Sequence, residues 1–176
     1  MAKRIARSNS GKTAQTKKKT QMKPQRWAGS EGKRLADSLN TLLAAYQVHY
    51  QKLHNYHWNV EGGEFFELHA LTEEQYGLAH ADIDEIAERI RVFQQRPLST
   101  FAEYLAASPI TEDRQVPPAT KMAANLLADH EALLRLMYAT ADLADDVDDL
   151  ATESMMIKFI ARFEKQQWML RAFTRG

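Results

Sequence analysis

Residues 57–89 read HWNVEGGEFFELHALTEEQYGLAHADIDEIAER. Glu61-Gly62-Gly63 divides this stretch, because paired glycines interrupt a helical pattern. Upstream, Leu35, Leu39, Leu42, Tyr46, Tyr50 and Leu53 recur every three or four residues, which predicts an amphipathic helix over 32–60. His57 falls in phase with that stripe. Downstream, Ile83, Ile86, Ile90 and Phe93 share one face. They predict a second long helix over 66–95, stopped by Pro97.

Working outward, Thr100 and Glu103 form a T-x-x-E pattern, the signature of a capping box, and predict a short helix over 101–107. Pro117-Pro118 open a third long helix, since proline is tolerated in a first turn. Its stripe is Met122, Leu126, His130, Leu133, Met137 and Ala141. A fourth helix is expected over 150–173. Four long helices, with one long connection between the second and third, predict an all-α, ferritin-like four-helix bundle with a short extra helix in that connection.

The chain has 176 residues and no cysteine, which excludes a disulfide framework, a thiolate zinc site, an iron–sulfur cluster and a cysteine nucleophile. No apolar run approaches the roughly 18 residues of a membrane span. A basic start without an apolar stretch is not a secretory signal. The zero net charge conceals a division. Lys3, Arg4, Arg7, Lys12, Lys17, Lys18, Lys19, Lys23 and Arg26 lie in residues 1–30, with no acidic group among them. Residues 31–176 hold 14 basic and 23 acidic side chains. The expected organisation is a disordered basic N-terminal tail, 1–30, too polar to bury surface against its ordering entropy, and a bundle domain, 31–176.

The second helix carries His69 and Glu73, then Asp84 and Glu88, each pair at i, i+4 and so on one helical face. All four lie on the same side of the helix. The midpoints of the pairs are 15 residues apart, or about 22 Å at the helical rise. Metal ligands lie within about 2–2.5 Å of their ion, so one straight helix cannot bring both pairs to one ion. A second copy of this helix, antiparallel across a two-fold axis near Leu78–Ala79, can. It would make two identical sites, neither complete in a monomer. Imidazoles and carboxylates without thiolate suit Fe(II), Mn(II) or Zn(II). Bland readings stand beside this one: Asp84 and Glu88 as a solvated face with Glu88 paired to Arg89 or Arg91, His57 and His130 as core histidines, and His49, His54 and His80 as structural or surface groups. Asp142, Asp145, Asp146, Asp148 and Asp149 read as a solvated, capping turn or as the lining of a cation pore.

The positions His57-Trp58-Asn59, His69, Glu73, Asp84 and Glu88, with Glu164-Lys165-Gln166-Gln167-Trp168-Met169-Leu170 in the last helix, resemble the Dps family, the DNA-binding proteins from starved cells, or mini-ferritins. The resemblance covers about residues 31–174. It implies a bacterial, cytoplasmic, nucleoid-associated homo-oligomer, a hollow dodecamer built from two-fold dimers. Such a shell is a ferroxidase: it oxidises Fe(II), preferentially with hydrogen peroxide, and stores ferric iron. By motif, His57, His69 and Glu73 of one subunit and Asp84 and Glu88 of its mate would hold iron, with two ions possible per site. The family often has Asp where Glu73 stands. Trp58 would sit beside the site as a radical quencher or an interface anchor, and the five aspartates would line three-fold pores. The nine basic tail residues would bind DNA without sequence preference, by releasing counterions from phosphates. The alternatives are an iron-storing, peroxide-consuming shell without DNA binding, whose tail only aids solubility, and an architectural DNA-binding protein without ferroxidase activity.

Overall fold

The computed structural model describes Trp27 and residues 29–175. All nine basic residues of the expected tail lie outside the described residues. Among the latter are five helices and no strand: α1 (Ser30–Asn59), α2 (Phe65–Val92), α3 (Phe101–Ala107), α4 (Ala119–Asp146) and α5 (Leu150–Phe173). The chain is all-α with the expected short extra helix. α1 packs on α2 and α4 on α5, and α1 joins the two pairs by lying along α4.

The apolar stripes fill the core. Leu35, Leu39, Leu42, Tyr46 and Leu53 of α1 are fully buried, as are Ile86 and Ile90 of α2 and Met122, Leu126, Leu133 and Met137 of α4. They meet Phe159 and Phe163 of α5, whose rings lie against Tyr46 at 6.1 and 5.7 Å. Tyr50 and Ile83 are only half-buried. Gly62 turns the chain between α1 and α2 with φ 99°, a conformation that glycine adopts without a Cβ clash. α2 ends at Val92, three residues short of the expected boundary. Phe93 stays in the core as its C-cap, and Gln94 turns the chain at φ 60°. Pro117 and Pro118 stand just outside α4, with Pro118 as its N-cap.

Thr100 and Glu103 close the capping box on α3: the Glu103 amide donates to Thr100 Oγ1 at 3.3 Å, and the Thr100 amide donates to Glu103 Oε2 at 3.0 Å. The crossing connection is then tied to α1 and α4. Tyr56 donates its hydroxyl to Asp113 Oδ2 at 2.5 Å, and Asn125 donates to the same oxygen at 3.1 Å. Asn55 donates to the Asp113 carbonyl at 3.1 Å. The Tyr56 bond comes first among the causes that hold the Asp113 carboxyl below its usual range.

Charged and polar groups are also buried in the bundle. Lys52 and His49 of α1 both reach Asp129 of α4, at 2.8 and 3.1 Å. The neighbouring His130 is fully buried, and neither ring nitrogen has a hydrogen-bond partner. Desolvation, then His49, holds His130 well below its ordinary pKa. Folded His130 is therefore neutral where the unfolded side chain, with a pKa of about 6.5, takes a proton. Stability should fall as pH drops below that value, with a slope from this group of up to about 1.4 kcal/mol per pH unit. Denaturant midpoints at pH 7.5 and 5.5 should lie closer together in His130→Leu than in the parent. The variant comparison isolates this group from Asp82, which burial raises to about 6 and which titrates in the same range with opposite sign. An unchanged gap would show that His130 does not carry the acid sensitivity.

Candidate metal centre

α1 ends where α2 begins, and the Gly62 turn lays the last turn of one beside the first turn of the other. Carbonyls in a final helical turn have no partner within the helix. His69 meets this need: its Nδ1 lies 2.9 Å from the His57 carbonyl. The relation is reciprocal, since His57 Nδ1 lies 2.9 Å from the His69 carbonyl. A carbonyl accepts only, so each Nδ1 carries its proton and each Nε2 of the neutral ring keeps its lone pair. The two rings stack at 3.8 Å and 19°. Phe65 covers the other side of His69 at 5.0 Å. Thr72 Oγ1 also donates to the His69 carbonyl, at 3.0 Å.

This pair presents two fixed nitrogen donors. Glu73, one turn beyond His69, adds a carboxylate. Ligand atoms of His57, His69 and Glu73 lie within 4.8 Å of one another, a separation that one ion can bridge. They are the only such group among the described residues. Burial grades from inside to outside: His57 is 8% exposed, His69 half-buried and Glu73 exposed. The cluster therefore opens outward from the protomer rather than into the bundle core.

Asp84 and Glu88 stand apart, four turns further along α2, and both are exposed. Among the described residues neither side chain enters a hydrogen bond or ion pair. The candidate partners of Glu88 are engaged elsewhere: Arg89 holds Asp149 and Arg91 donates to the Gln95 carbonyl. Their neighbour Glu85 pairs with Lys158 of α5 at 2.8 Å. The remaining histidines are accounted for. His49 pairs with Asp129, His130 lies in the core against Phe163, His54 stacks on Tyr76, and His80 is exposed.

The ferritin-like domain family matches residues 36–175. DNA protection during starvation protein 2 of Bacillus anthracis is 38% identical over 141 residues, covering 80% of this chain and 97% of that protein. The crystal structure of a Dps protein from Vibrio cholerae, described as a member of a superfamily of ferritin-like diiron-carboxylate proteins, superposes with a TM-score of 0.80 at 39% identity, over 82% of this chain and 91% of that one. That of a Dps protein from Bacillus brevis gives 0.80 at 38%, over 82% and 97%. The chain belongs to the Dps family. The all-α bundle with its short α3 is thus the Dps form of the ferritin-like fold, and no helix among the described residues is long and apolar enough to cross a membrane.

Within this Dps fold, Trp58 is 66% exposed and touches His54 at 4.9 Å. Asp142, Asp145, Asp146 and Asp148 are exposed at the α4–α5 turn. Asp149 differs: it is 3% exposed, and its two oxygens accept from Arg89 at 2.6 and 2.7 Å. It locks the turn to α2. Sequence spacing missed three buried ties: Arg89–Asp149, Lys52–Asp129–His49, and Tyr46–Asp82–Arg162. One signal was available for the second, since Asp129 falls on the α4 stripe, three residues after Leu126 and four before Leu133.

Proposed function

We propose that this chain is a mini-ferritin that oxidises Fe(II) with hydrogen peroxide at sites shared between two-fold-related subunits, stores the ferric product within a dodecameric shell, and binds DNA through its basic tail. The observation that carries the reading is a preformed three-ligand cluster where the end of α1 meets the first half of α2, with two unpaired carboxylates on the other half of α2. An antiparallel copy of α2 would set Asp84 and Glu88 opposite His57, His69 and Glu73. Membership of the Dps family supports that arrangement. Two ions could share the five ligands.

The chemistry follows from the donor set. Neutral imidazoles and carboxylates accept Fe(II) as substrate, and the carboxylate charge favours the ferric product. Peroxide takes one electron from each of two Fe(II) ions and, with two protons, leaves as two waters. No hydroxyl radical is released in that exchange. Fe(III) then hydrolyses and mineralises on an anionic interior. Asp142, Asp145, Asp146 and Asp148 would draw cations to three-fold pores, with Asp149 holding the turn that presents them. A bacterial, cytoplasmic, nucleoid-associated setting fits this chemistry. Native mass measurement and Fe(II)–peroxide oxidation on one purified sample test the core of the reading. A monomeric mass, or no peroxide-driven oxidation, would overturn it.

The body carries excess negative charge and would repel DNA, so the tail must supply the contact. Nine cations per chain, repeated around a shell, give multivalent attachment with strong salt dependence. A chain beginning at residue 27 should fail to retard duplex DNA in a gel under salt where the full chain retards it, with both still oxidising Fe(II). Equal retardation would remove the tail from the DNA function.

A further inference from the structure

The root of the basic tail is seated on the body. Trp27 meets Phe93 edge-on, with ring centroids 5.3 Å apart and planes at 88°. Phe93 is fully buried as the C-cap of α2, and the Arg89 guanidinium stands 4.9 Å from its ring centroid. Arg89 in turn holds Asp149 of the α4–α5 turn at 2.6 Å. The seat is built into the start of α1 as well. Gly32 is buried in the first turn of that helix, and a Cβ there would lie 2.2 Å from the Trp27 carbonyl oxygen. Trp27 can occupy this place only because residue 32 has no side chain. Three successive contacts thus join the point where residues 1–26 enter the body to the turn that carries the exposed Asp142, Asp145, Asp146 and Asp148.

We propose that residues 1–26 dock on the α4–α5 turn as an electrostatic brake on cation entry, with Trp27 as the latch that keeps them there, and that DNA lifts the brake by taking up the tail. This regulation rests on the function read above for the tail and the turn. The charges are complementary: nine cations and no acid in the tail, four exposed carboxylates at the turn. The tether makes their meeting intramolecular, so it needs little intrinsic affinity. At about 3.4 Å per extended residue, Arg26 and Lys23 need only a short length of chain to come within the roughly 10 Å over which charges act at 0.1 M salt. Each tail cation at the turn offsets the field that draws Fe(II) inward. Duplex DNA, with one phosphate charge per about 1.7 Å of axis, competes for the same cations and outnumbers the aspartates. Iron then enters fastest where DNA is at hand, and peroxide is consumed beside the molecule it would damage.

The test is stopped-flow Fe(II) oxidation by excess peroxide at low iron loading, on the assembled full-length chain with and without duplex DNA. It is run at about 0.01 M and about 1 M salt, where the screening length is roughly 30 and 3 Å. At low salt DNA should raise the initial rate by about threefold or more. At high salt it should have no effect. Lys17→Gln/Lys18→Gln/Lys19→Gln alters only the tail, and should run faster than the parent without DNA and gain less from it. Trp27→Ala and Gly32→Ala unseat the root in different ways. Both should run faster without DNA and still retard it in a gel, whereas Trp27→Phe, which keeps a ring against Phe93, should match the parent. A parent rate that DNA leaves unchanged or lowers at low salt overturns the brake, as does a lysine variant no faster than the parent. DNA acceleration in the parent, with Trp27→Ala and Gly32→Ala both indistinguishable from it, overturns the latch. Normal oxidation without any DNA effect spares the ferroxidase reading. Absence of Fe(II) oxidation at every iron loading overturns both.

Discussion

Mixed assemblies of His57→Ala chains and Asp84→Ala/Glu88→Ala chains should regain the peroxide-driven Fe(II) oxidation that each variant lacks alone. Each parent assembly has only damaged sites. In His57→Ala every site lacks the imidazole of greatest burial, and in the double variant every site lacks the opposing carboxylates. Loss of even an outer partner of a metal ligand costs about 10–100-fold, so loss of the ligands themselves should abolish measurable turnover. A two-fold dimer of one chain of each kind behaves differently. One of its sites combines the intact cluster of the double variant with the intact Asp84 and Glu88 of the His57→Ala chain. The other site carries both lesions. Random pairing of equal amounts makes half the dimers mixed, so about a quarter of the parent rate should return. The measurement is stopped-flow Fe(II) oxidation after joint refolding, with native mass confirming equal assembly. If the mixture is as inactive as its components, the ligands do not meet across an interface.

The largest loss of stability should come from Arg89→Ala. Its guanidinium grips both oxygens of Asp149 and also donates to Thr152 Oγ1 at 2.9 Å. Thr152 donates to Asp149 Oδ2 at 2.5 Å. Arg89 and Asp149 side chains are 16% and 4% exposed, so water cannot replace the lost partner. Removing one member of a buried pair costs about 3–5 kcal/mol, because the other is left charged and uncompensated. Replacing both with apolar residues of similar volume is often close to neutral. Chemical denaturation should therefore place Arg89→Ala far below the parent, and Arg89→Met/Asp149→Leu much nearer to it. A double variant as weak as the single one would mean that the turn needs the ion pair itself, not relief from a stranded carboxylate.

How much of this was legible beforehand depends on how local each feature is. The helices were, because Leu35 to Leu53 and Met122 to Met137 carry their period within one segment. The short α3 was as well, since Thr100 and Glu103 reach each other across three residues. Boundaries were less so. Phe93 extends the apolar stripe of α2 beyond its last helical residue, and sequence period cannot tell a buried cap from one more helical turn. The grouping of His57, His69 and Glu73 could be approached by spacing, with family resemblance joining His57 to the other two. The means by which the histidines are held could not, because each imidazole bonds to the other's backbone carbonyl, and carbonyls leave no mark in a sequence. Asp149 was indistinguishable from Asp148 by composition. Only an arginine 60 residues earlier separates them.

The mutual grip of His57 and His69 has a consequence for the order of events during biogenesis. It is made inside a single chain, from two adjoining helical turns, and needs no neighbour to set it. On the proposed function, a newly folded chain would already display half of a metal cradle, opening outward, before it has met a second chain. Pairing would bring a facing wall and no rearrangement of the histidines, so the capacity to oxidise iron should arise at the moment two chains join.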